Sequence, residues 1–194
     1  MITRVVVATK NPDKRAEVLA VLTRLAPHLE IVEDADWPDV AETGATLREN
    51  ALLKARAAAA ATGLACIADD TGLEVDALAG APGVHTARFA GPEAIYAGNR
   101  AALLKAMEGV TERAARFRTV VALVEGDTEV TAEGTLEGTI ATEERGSGGF
   151  GYDPLFEVEG RTLSEHGEES KNHFSHRAVA IANLIARLGG LIPE

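Results

Sequence analysis

Residues 4–14 read Arg4-Val-Val-Val-Ala-Thr-Lys-Asn-Pro-Asp-Lys14, an apolar run that passes directly into a polar turn. The run predicts a buried strand over 4–9, and the apolar spacing after it predicts a helix over 12–25. Pro12 suits the first helical position and Asn11 suits the N-cap. Backbone N–H groups at such a helix start attract anions. Taken alone, however, the segment favours an ordinary strand–helix connection with solvated lysines.

Length and composition limit the classes of protein that fit. The chain has 194 residues, 46% of them hydrophobic, which predicts one globular domain over 1–194. The formal net charge of −11 disfavours nucleic-acid binding, which needs a basic face. No apolar run reaches membrane-spanning length, and the lone Cys66 cannot form an internal disulfide. We therefore expect a cytoplasmic protein that binds neither nucleic acid nor membrane.

The remaining pattern mixes strands and helices without strict alternation. We expect strands near 29–32, 66–70, 116–124 and 128–139, and helices over 93–108 and 175–188. Thr46-Leu-Arg-Glu49 is a capping-box pattern that opens a long Ala-rich helix ending at Gly63. This order predicts an α/β fold with a mixed sheet.

Acidic residues supply the first candidate chemistry. Asp69 and Asp70 follow an apolar strand, and neighbours on a strand point to opposite faces, so they are not expected to act as a matched pair. A strand-end carboxylate suits Mg²⁺, although a plain Asx turn fits about equally well. Glu42 alone fits a solvated loop acid. Asn50 and Lys54 share a helix face, and Lys54 reaches either a cleft or solvent.

Two further segments favour function. Gly148-Gly-Phe-Gly-Tyr-Asp-Pro154 surrounds two aromatic residues with glycines, which suits a loop whose ring stacks on a base. Ser170-Lys-Asn-His-Phe-Ser-His-Arg177 gathers cations where a helix begins, and like charge there opposes the helix dipole. An anion or a keto oxygen would offset that cost. The histidine spacing fits no common zinc pattern.

Together these segments closely resemble the inosine triphosphate pyrophosphatase family over nearly the whole chain. The matching motifs are Ala8–Lys14 with Glu17, Glu42–Gly44, Glu49–Ala51 with Lys54-Ala55, Ile67–Leu73, Gly80–Val84, Ala87–Phe89, Gly148–Pro154 and Ser175–Arg177. The chain departs from many relatives at Lys10, where Gly is common, and at His85, where Tyr is frequent.

The resemblance implies an α/β fold with an elongated mixed β-sheet, flanking helices and two lobes around a central cleft. It also implies a homodimer. The implied activity is Mg²⁺-dependent hydrolysis of ITP, dITP and XTP to the monophosphate and pyrophosphate, which cleanses the nucleotide pool of deaminated purines.

Roles for individual residues also come from the resemblance. Asp70 would be the catalytic base, and Glu42 and Asp70 would hold Mg²⁺. The substrate-binding residues would be Thr9, Lys10, Asn11, Pro12, Asp13, Lys14, Lys54 and Thr71 for the phosphates, and Phe150, Gly151, Tyr152, Asp153, Lys171, His176 and Arg177 for the base.

The resemblance suggests a mechanism and leaves rivals. Asp70 would activate a water for in-line attack on the α-phosphorus, with Mg²⁺ and lysines neutralising charge. Donors facing the six-position of the purine would satisfy a keto oxygen but not an amine, at a cost of about 1–3 kcal/mol per mismatch. The alternatives are a related pyrophosphatase acting on dTTP, UTP or modified nucleotides, and a nucleotide sensor without catalysis.

Overall fold

Short strands and helices follow one another irregularly along residues 1–192, the part of the chain that the computed structural model describes. The strands are β1 (Arg4–Val7), β2 (Glu30–Ile31), β3 (Ala65–Val75), β4 (Pro82–Gly83), β5 (Ala114–Glu125), β6 (Thr128–Ile140), β7 (Phe156–Val158) and β8 (Arg161–Thr162). The α-helices are α1 (Pro12–Leu25), α2 (Leu47–Thr62), α3 (Tyr96–Ala106), α4 (Leu163–His166), α5 (Glu168–Phe174) and α6 (His176–Leu188).

The strands form one mixed sheet with the order β2-β1-β3-β5-β6-β7-β8, and β4 pairs with β3 off this path. Strand β1 runs parallel to β2 and β3, with Val6 opposite Cys66. The pairs β3–β4, β6–β7 and β7–β8 are antiparallel. The predicted α/β class with a mixed sheet is therefore confirmed.

The chain divides into two compact units. The first holds residues 1–70, 119–134 and the segment from His176 onward, and the second holds residues 71–118 and 135–175. The expectation of a single domain stays a prediction. None of the helices within the described residues is both long and apolar enough to span a membrane.

In the first unit, helices α1 and α6 contribute to one apolar core. Val18 and Leu22 of α1 and Ile181 of α6 belong to the same buried cluster as Val5 and Ile67. Strand β6 lies close to the start of α6. A Cβ at Gly134 would fall only 2.2 Å from the carbonyl oxygen of His176. Glycine at 134 thus allows β6 to approach the first turn of α6 this closely.

The second unit has its own core. The rings of Phe117 and Phe156 lie with their centroids 4.6 Å apart, and Leu103, Leu155 and Leu163 belong to the same buried cluster. Every one of these residues is nearly inaccessible to solvent. Aromatic packing of this kind adds to the free energy gained by burying the rings.

Several predicted boundaries are wrong in an informative way. Strand β3 does not stop at Asp70 but continues to Val75, because Leu73 and Val75 are also buried. Asp69 and Asp70 therefore lie inside a strand and not at its end. Helix α3 begins at Tyr96 and not at 93. The short helices α4 and α5 were not predicted.

Candidate active site

The turn after β1 is locked by its own side chains. Asn11 caps α1 as predicted, because its Oδ1 accepts hydrogen bonds from the backbone N–H of Asp13 (3.0 Å) and Lys14 (3.1 Å). Thr9 Oγ1 accepts a hydrogen bond from the N–H of Asn11 (3.3 Å). Two of the amides expected to attract an anion thus already have a protein acceptor. The attraction for an anion in this turn then depends more on side-chain charge.

The two lysines of this turn differ in their surroundings. Lys10 Nζ lies 2.7 Å from Asp39 Oδ1, and both side chains are exposed. Lys14 Nζ lies 3.7 Å from Oδ2 of the buried Asp69, and the Lys14 side chain is only 20% exposed. Lys14 is therefore directed toward the carboxylates, whereas Lys10 pairs with a surface acid.

Lys54 brings Glu42 and Asp70 together. Its Nζ lies 2.5 Å from Glu42 Oε1 and 3.4 Å from Asp70 Oδ1. Asn50 Nδ2 donates to the other oxygen of Asp70, Oδ2, at 3.1 Å. The sequence left open whether Lys54 reaches solvent, and the structure answers that it contacts both candidate metal ligands.

Asp69 has different partners from Asp70. Arg177 Nε and Nη2 each lie 3.2 Å from Asp69 Oδ2, and Arg177 Nη1 also contacts Glu17. The two neighbouring aspartates thus contact different side chains, as expected for adjacent positions on a strand. Arg177 is 1% exposed, so the guanidinium predicted to read a base is also held by two buried carboxylates.

The carboxylate cluster, formed by Glu42, Asp69 and Asp70 with Lys14 and Lys54, carries more carboxylates than ammoniums. Burial alone would lower the pKa of Lys54, but three surrounding carboxylates outweigh burial and raise it. Those carboxylates belong to Asp70, Asp69 and Glu42. Burial raises the pKa of Asp70, and the nearby ammoniums of Lys54 and Lys14 do not offset it. Negative charge therefore determines the shift in the pKa of Lys54, whereas burial determines the shift in the pKa of Asp70.

These residues fit a magnesium ion whose ligands come partly from the protein and partly from a bound substrate. Within residues 1–192, no group of three or more His, Cys, Asp or Glu side chains is placed to hold a metal by itself. Mg²⁺ is commonly held by one or two carboxylates, with waters and substrate phosphates completing its octahedron. Glu42 and Asp70 converge on one ammonium and supply two such carboxylates.

The predicted base-binding loop lies in the second unit and is built around a buried ion pair. Lys171 Nζ lies 2.6 Å from Asp153 Oδ2, and both side chains are at most 5% exposed. The same oxygen accepts a hydrogen bond from the N–H of Phe150 (2.9 Å). Lys171 Nζ also lies 4.5 Å from the centroid of the Phe150 ring. Asp153 thus binds both the backbone of Phe150 and the ammonium of Lys171.

Two neighbours shape the same loop. Tyr152 is buried, its hydroxyl donates to the carbonyl of Thr86 (2.9 Å), and burial raises its pKa. Arg100 Nη1 donates to the carbonyl of Gly151 (3.0 Å). Phe150 is only partly buried, and its ring lies 6.1 Å from that of Tyr96. Phe150 is therefore the aromatic residue of this loop with a partly accessible face.

The predicted site residues fall in both units. The first unit holds Thr9, Lys10, Asn11, Pro12, Asp13, Lys14, Glu42, Lys54, Asp70, His176 and Arg177. The second unit holds Thr71, Phe150, Gly151, Tyr152, Asp153 and Lys171. Thr71 is half-buried in β3, directly after Asp70 in the chain.

Three polar residues to which the sequence assigned no site role contact these side chains. Thr119 Oγ1 lies 2.6 Å from Nδ1 of the buried His176. Asn50 contacts Asp70, and Glu17 contacts Arg177. The spacing of Asn50 and Lys54 on one helix face was a usable signal for Asn50. Thr119 carries no such signal, because its partner is far away in the sequence.

Comparison with known proteins identifies the family. Residues 5–187 match the model of the Ham1 family. A relative from Porphyromonas gingivalis, named dITP/XTP pyrophosphatase, is 50% identical over 93% of this chain and 95% of its own length. A relative of the same name from Geobacter sulfurreducens is 49% identical, over 96% of this chain and 97% of its own length. The chain belongs to the Ham1 family.

Solved structures agree with this assignment. A HAM1 protein from Coxiella burnetii superposes with a TM-score of 0.85 at 40% identity, covering 98% of this chain and all of that one. The Ham1 protein of Staphylococcus aureus also superposes with a TM-score of 0.85, at 37% identity, covering 97% of this chain and 99% of that one. The resemblance stated from the sequence and the α/β fold are both confirmed.

Proposed function

We propose that this protein hydrolyses deaminated purine nucleoside triphosphates, namely ITP, dITP and XTP, to the monophosphate and pyrophosphate. The observation that carries the proposal is the convergence of Glu42 and Asp70 on Lys54, with Lys14 beside Asp69. The family membership and the names of the relatives place the chain among the nucleoside triphosphate pyrophosphatases, which are hydrolases.

We assign the general base to Asp70. Its carboxylate is mostly buried, and burial raises its pKa, which makes the ionised form a better proton acceptor. Asp70 orients a water for in-line attack on the α-phosphorus and takes its proton, and pyrophosphate leaves. Lys14 and Lys54 neutralise negative charge that builds on the phosphate oxygens. Glu42 and Asp70 would hold Mg²⁺, which would supply further neutralisation of the phosphate charge.

We assign the phosphates to the segment Thr9–Lys14 together with Lys54 and Thr71, as the family resemblance implies. Lys14 carries most of this role, because its side chain is directed toward the carboxylate cluster. Lys10 contributes less, since its ammonium already pairs with Asp39.

We assign binding of the purine base to Phe150, Gly151, Tyr152 and Asp153 together with Lys171, His176 and Arg177. The Phe150 ring supplies a stacking surface, and the ammonium of Lys171 lies close to that ring. A keto oxygen at the six-position accepts a hydrogen bond from an ammonium or an imidazole N–H, whereas an amine does not. Selectivity for inosine and xanthine over adenine follows from this difference.

The proposal includes a preference for magnesium, which the carboxylates of Glu42 and Asp70 support, and action in the cytoplasm, as expected from the sequence. A homodimeric assembly and a role in cleansing the nucleotide pool follow from the family resemblance. The rival assignment, a pyrophosphatase acting on dTTP, UTP or modified nucleotides, shares the phosphate chemistry and differs only at the base. The segments Gly148–Tyr152 and Ser175–Arg177 favour the purine branch.

Hydrolysis in ¹⁸O-labelled water tests the reaction directly. Attack at the α-phosphorus places the label in the monophosphate and releases unlabelled pyrophosphate. Label in pyrophosphate, or release of orthophosphate, would overturn the assigned bond. Asp70→Asn and a chelator-treated sample are the matched controls, and both are expected to release no labelled monophosphate above background.

A further inference from the structure

Asn50 makes two side-chain contacts from a position with no solvent exposure. Its Oδ1 accepts a hydrogen bond from the N–H of Gly44 at 2.8 Å, and its Nδ2 donates to Asp70 Oδ2 at 3.1 Å. The two partners fix the orientation of the amide, because a backbone N–H only donates and an ionised carboxylate only accepts. Neither partner would tolerate the amide turned by 180°.

Asn50 and Lys54 lie on one face of α2, and both contact Asp70 of β3 and the segment 42–44. They are four residues apart in the helix and thus one turn from each other. Lys54 approaches Asp70 Oδ1, and Asn50 approaches Asp70 Oδ2. Lys54 also contacts Glu42, while Asn50 holds Gly44 two residues later. The rotation of the Asp70 carboxylate is therefore set by one charged and one neutral donor.

The approach of Gly44 to Asn50 is too close for any other residue at 44. A Cβ at that position would lie 2.6 Å from Asn50 Oδ1 and 2.7 Å from Glu49 Cβ. Contacts under about 3 Å require either neighbour to shift. The segment carrying Glu42 thus lies directly against the Asn50 amide, which also binds Asp70.

From these contacts we propose that Asn50 is a positioning residue that fixes the rotation of the Asp70 carboxylate and ties it to the segment carrying Glu42. The inference rests on the proposed role of Asp70 as general base. A neutral amide is suited to this position, because it binds a carboxylate oxygen without competing with Lys54 as a second ammonium would. An aspartate of the same shape would replace the donor with a second carboxylate facing Asp70.

The isosteric change Asn50→Asp separates the two contacts. It keeps an oxygen to accept from the N–H of Gly44 but removes the donor to Asp70. Asn99→Asp is the matched control, because Asn99 is equally buried, accepts from the N–H of Ala90 (2.8 Å) and donates to the carbonyl of Ala87 (2.9 Å). Asn50→Ser, which loses both contacts, serves if the aspartate variant does not fold.

The readouts are steady-state ITP hydrolysis and thermal unfolding of all variants. We expect kcat of Asn50→Asp to fall by about 10–100-fold, the usual loss when a residue that orients an active-site ligand is changed. KM is expected to stay within about threefold of the parent value, since Asn50 acts through Asp70 and not on substrate. Asn99→Asp is expected to lose stability but to keep its kcat.

Three results would overturn the proposal: an Asn50→Asp kcat near that of the parent, a rise in KM at unchanged kcat, or an equal kcat loss in Asn99→Asp. If the parent protein hydrolyses no nucleotide, the proposed function fails, and positioning is then judged by a crystal structure of Asn50→Ser. A rotated Asp70 carboxylate and a displaced 42–44 segment would support it. An unmoved carboxylate would refute it.

Discussion

Arg177 Nε and Nη2 lie at the same distance, 3.2 Å, from a single oxygen of Asp69, Oδ2. Both side chains are at most 2% exposed, and a further nitrogen of the guanidinium contacts Glu17. Arg177 thus ties the start of α6 to both β3 and α1. The residue proposed to read the base is also part of the framework that holds the carboxylate cluster.

Replacing Arg177 with leucine is expected to destabilise the protein by about 3–5 kcal/mol, because the change removes the guanidinium from two buried carboxylates. The free energy of unfolding in guanidinium chloride measures the loss. Arg56→Leu is the control, since Arg56 makes a two-point ion pair with Glu129 at the surface. Exposed pairs contribute little, so its loss is expected to be much smaller. Equal losses would contradict a framework role for Arg177.

Asp70→Asn is expected to abolish turnover without lowering stability at neutral pH. Because burial raises the pKa of Asp70 in the folded protein, ionisation of this group opposes folding as the pH rises above its ordinary value of 3.8. The neutral amide avoids that penalty. The melting temperature of the variant relative to the parent is therefore expected to increase from about pH 4 to pH 7.

Melting curves of both proteins from about pH 4 to pH 7, with turnover measured in parallel, test the direction in which their difference in melting temperature changes with pH. A variant that is less stable than the parent at pH 7 but equal to it at pH 4 would show that ionised Asp70 stabilises the fold. That result would contradict the assignment of burial as the dominant influence on its pKa.

Lys54→Met is expected to bind divalent cation more tightly and to turn over more slowly. The ammonium of Lys54 occupies the space between Glu42 and Asp70, so it competes with a cation for the same oxygens. Removing it is expected to strengthen Mn²⁺ binding by about tenfold in the absence of nucleotide, equivalent to one charge-assisted contact of roughly 1.4 kcal/mol.

Electron paramagnetic resonance of free Mn²⁺ measures this affinity, and pyrophosphate release measures turnover. Lys105→Met on the exposed surface of α3 removes the same charge and is the control. Unchanged or weaker Mn²⁺ binding in Lys54→Met would place the cation elsewhere.

Phe150→Ala is expected to weaken nucleotide binding more than it slows the chemical step. Stacking of a base on an aromatic ring contributes about 1–3 kcal/mol, so KM for ITP should rise by about fivefold or more. Phe150→Trp keeps a stacking surface and is expected to retain a KM close to that of the parent. A loss of kcat at constant KM in the alanine variant would argue against stacking on Phe150.

Much of the fold could be predicted because local signals agreed with the tertiary structure. The cap at Asn11, the capping box at Thr46 and the left-handed glycine at Gly63 are all present where the sequence placed them. The predicted strand ended at Asp70 because the apolar run gives way to polar residues there. The burial of Leu73, which keeps the chain in the sheet, becomes visible only in three dimensions.

The partners of the site residues were harder to predict than the residues themselves. Asp69 and Arg177 are 108 positions apart, and nothing local to either residue indicates the other. Likewise, Lys10 and Lys14 look equivalent in the turn, and only the folded chain directs one to Asp39 and the other to Asp69. Sequence patterns thus located the acids and cations, whereas long-range packing determined which of them pair.

Pyrophosphate release from a panel of nucleoside triphosphates is the measurement that tests the proposed function most directly. The panel contains ITP, dITP, XTP, GTP, ATP, dTTP and UTP, each with Mg²⁺ and each repeated with EDTA. We predict strong release from ITP, dITP and XTP, little from the others, and none in EDTA. Release led by dTTP or UTP would contradict the assigned base selectivity, and no release from any nucleotide would contradict the assigned catalysis.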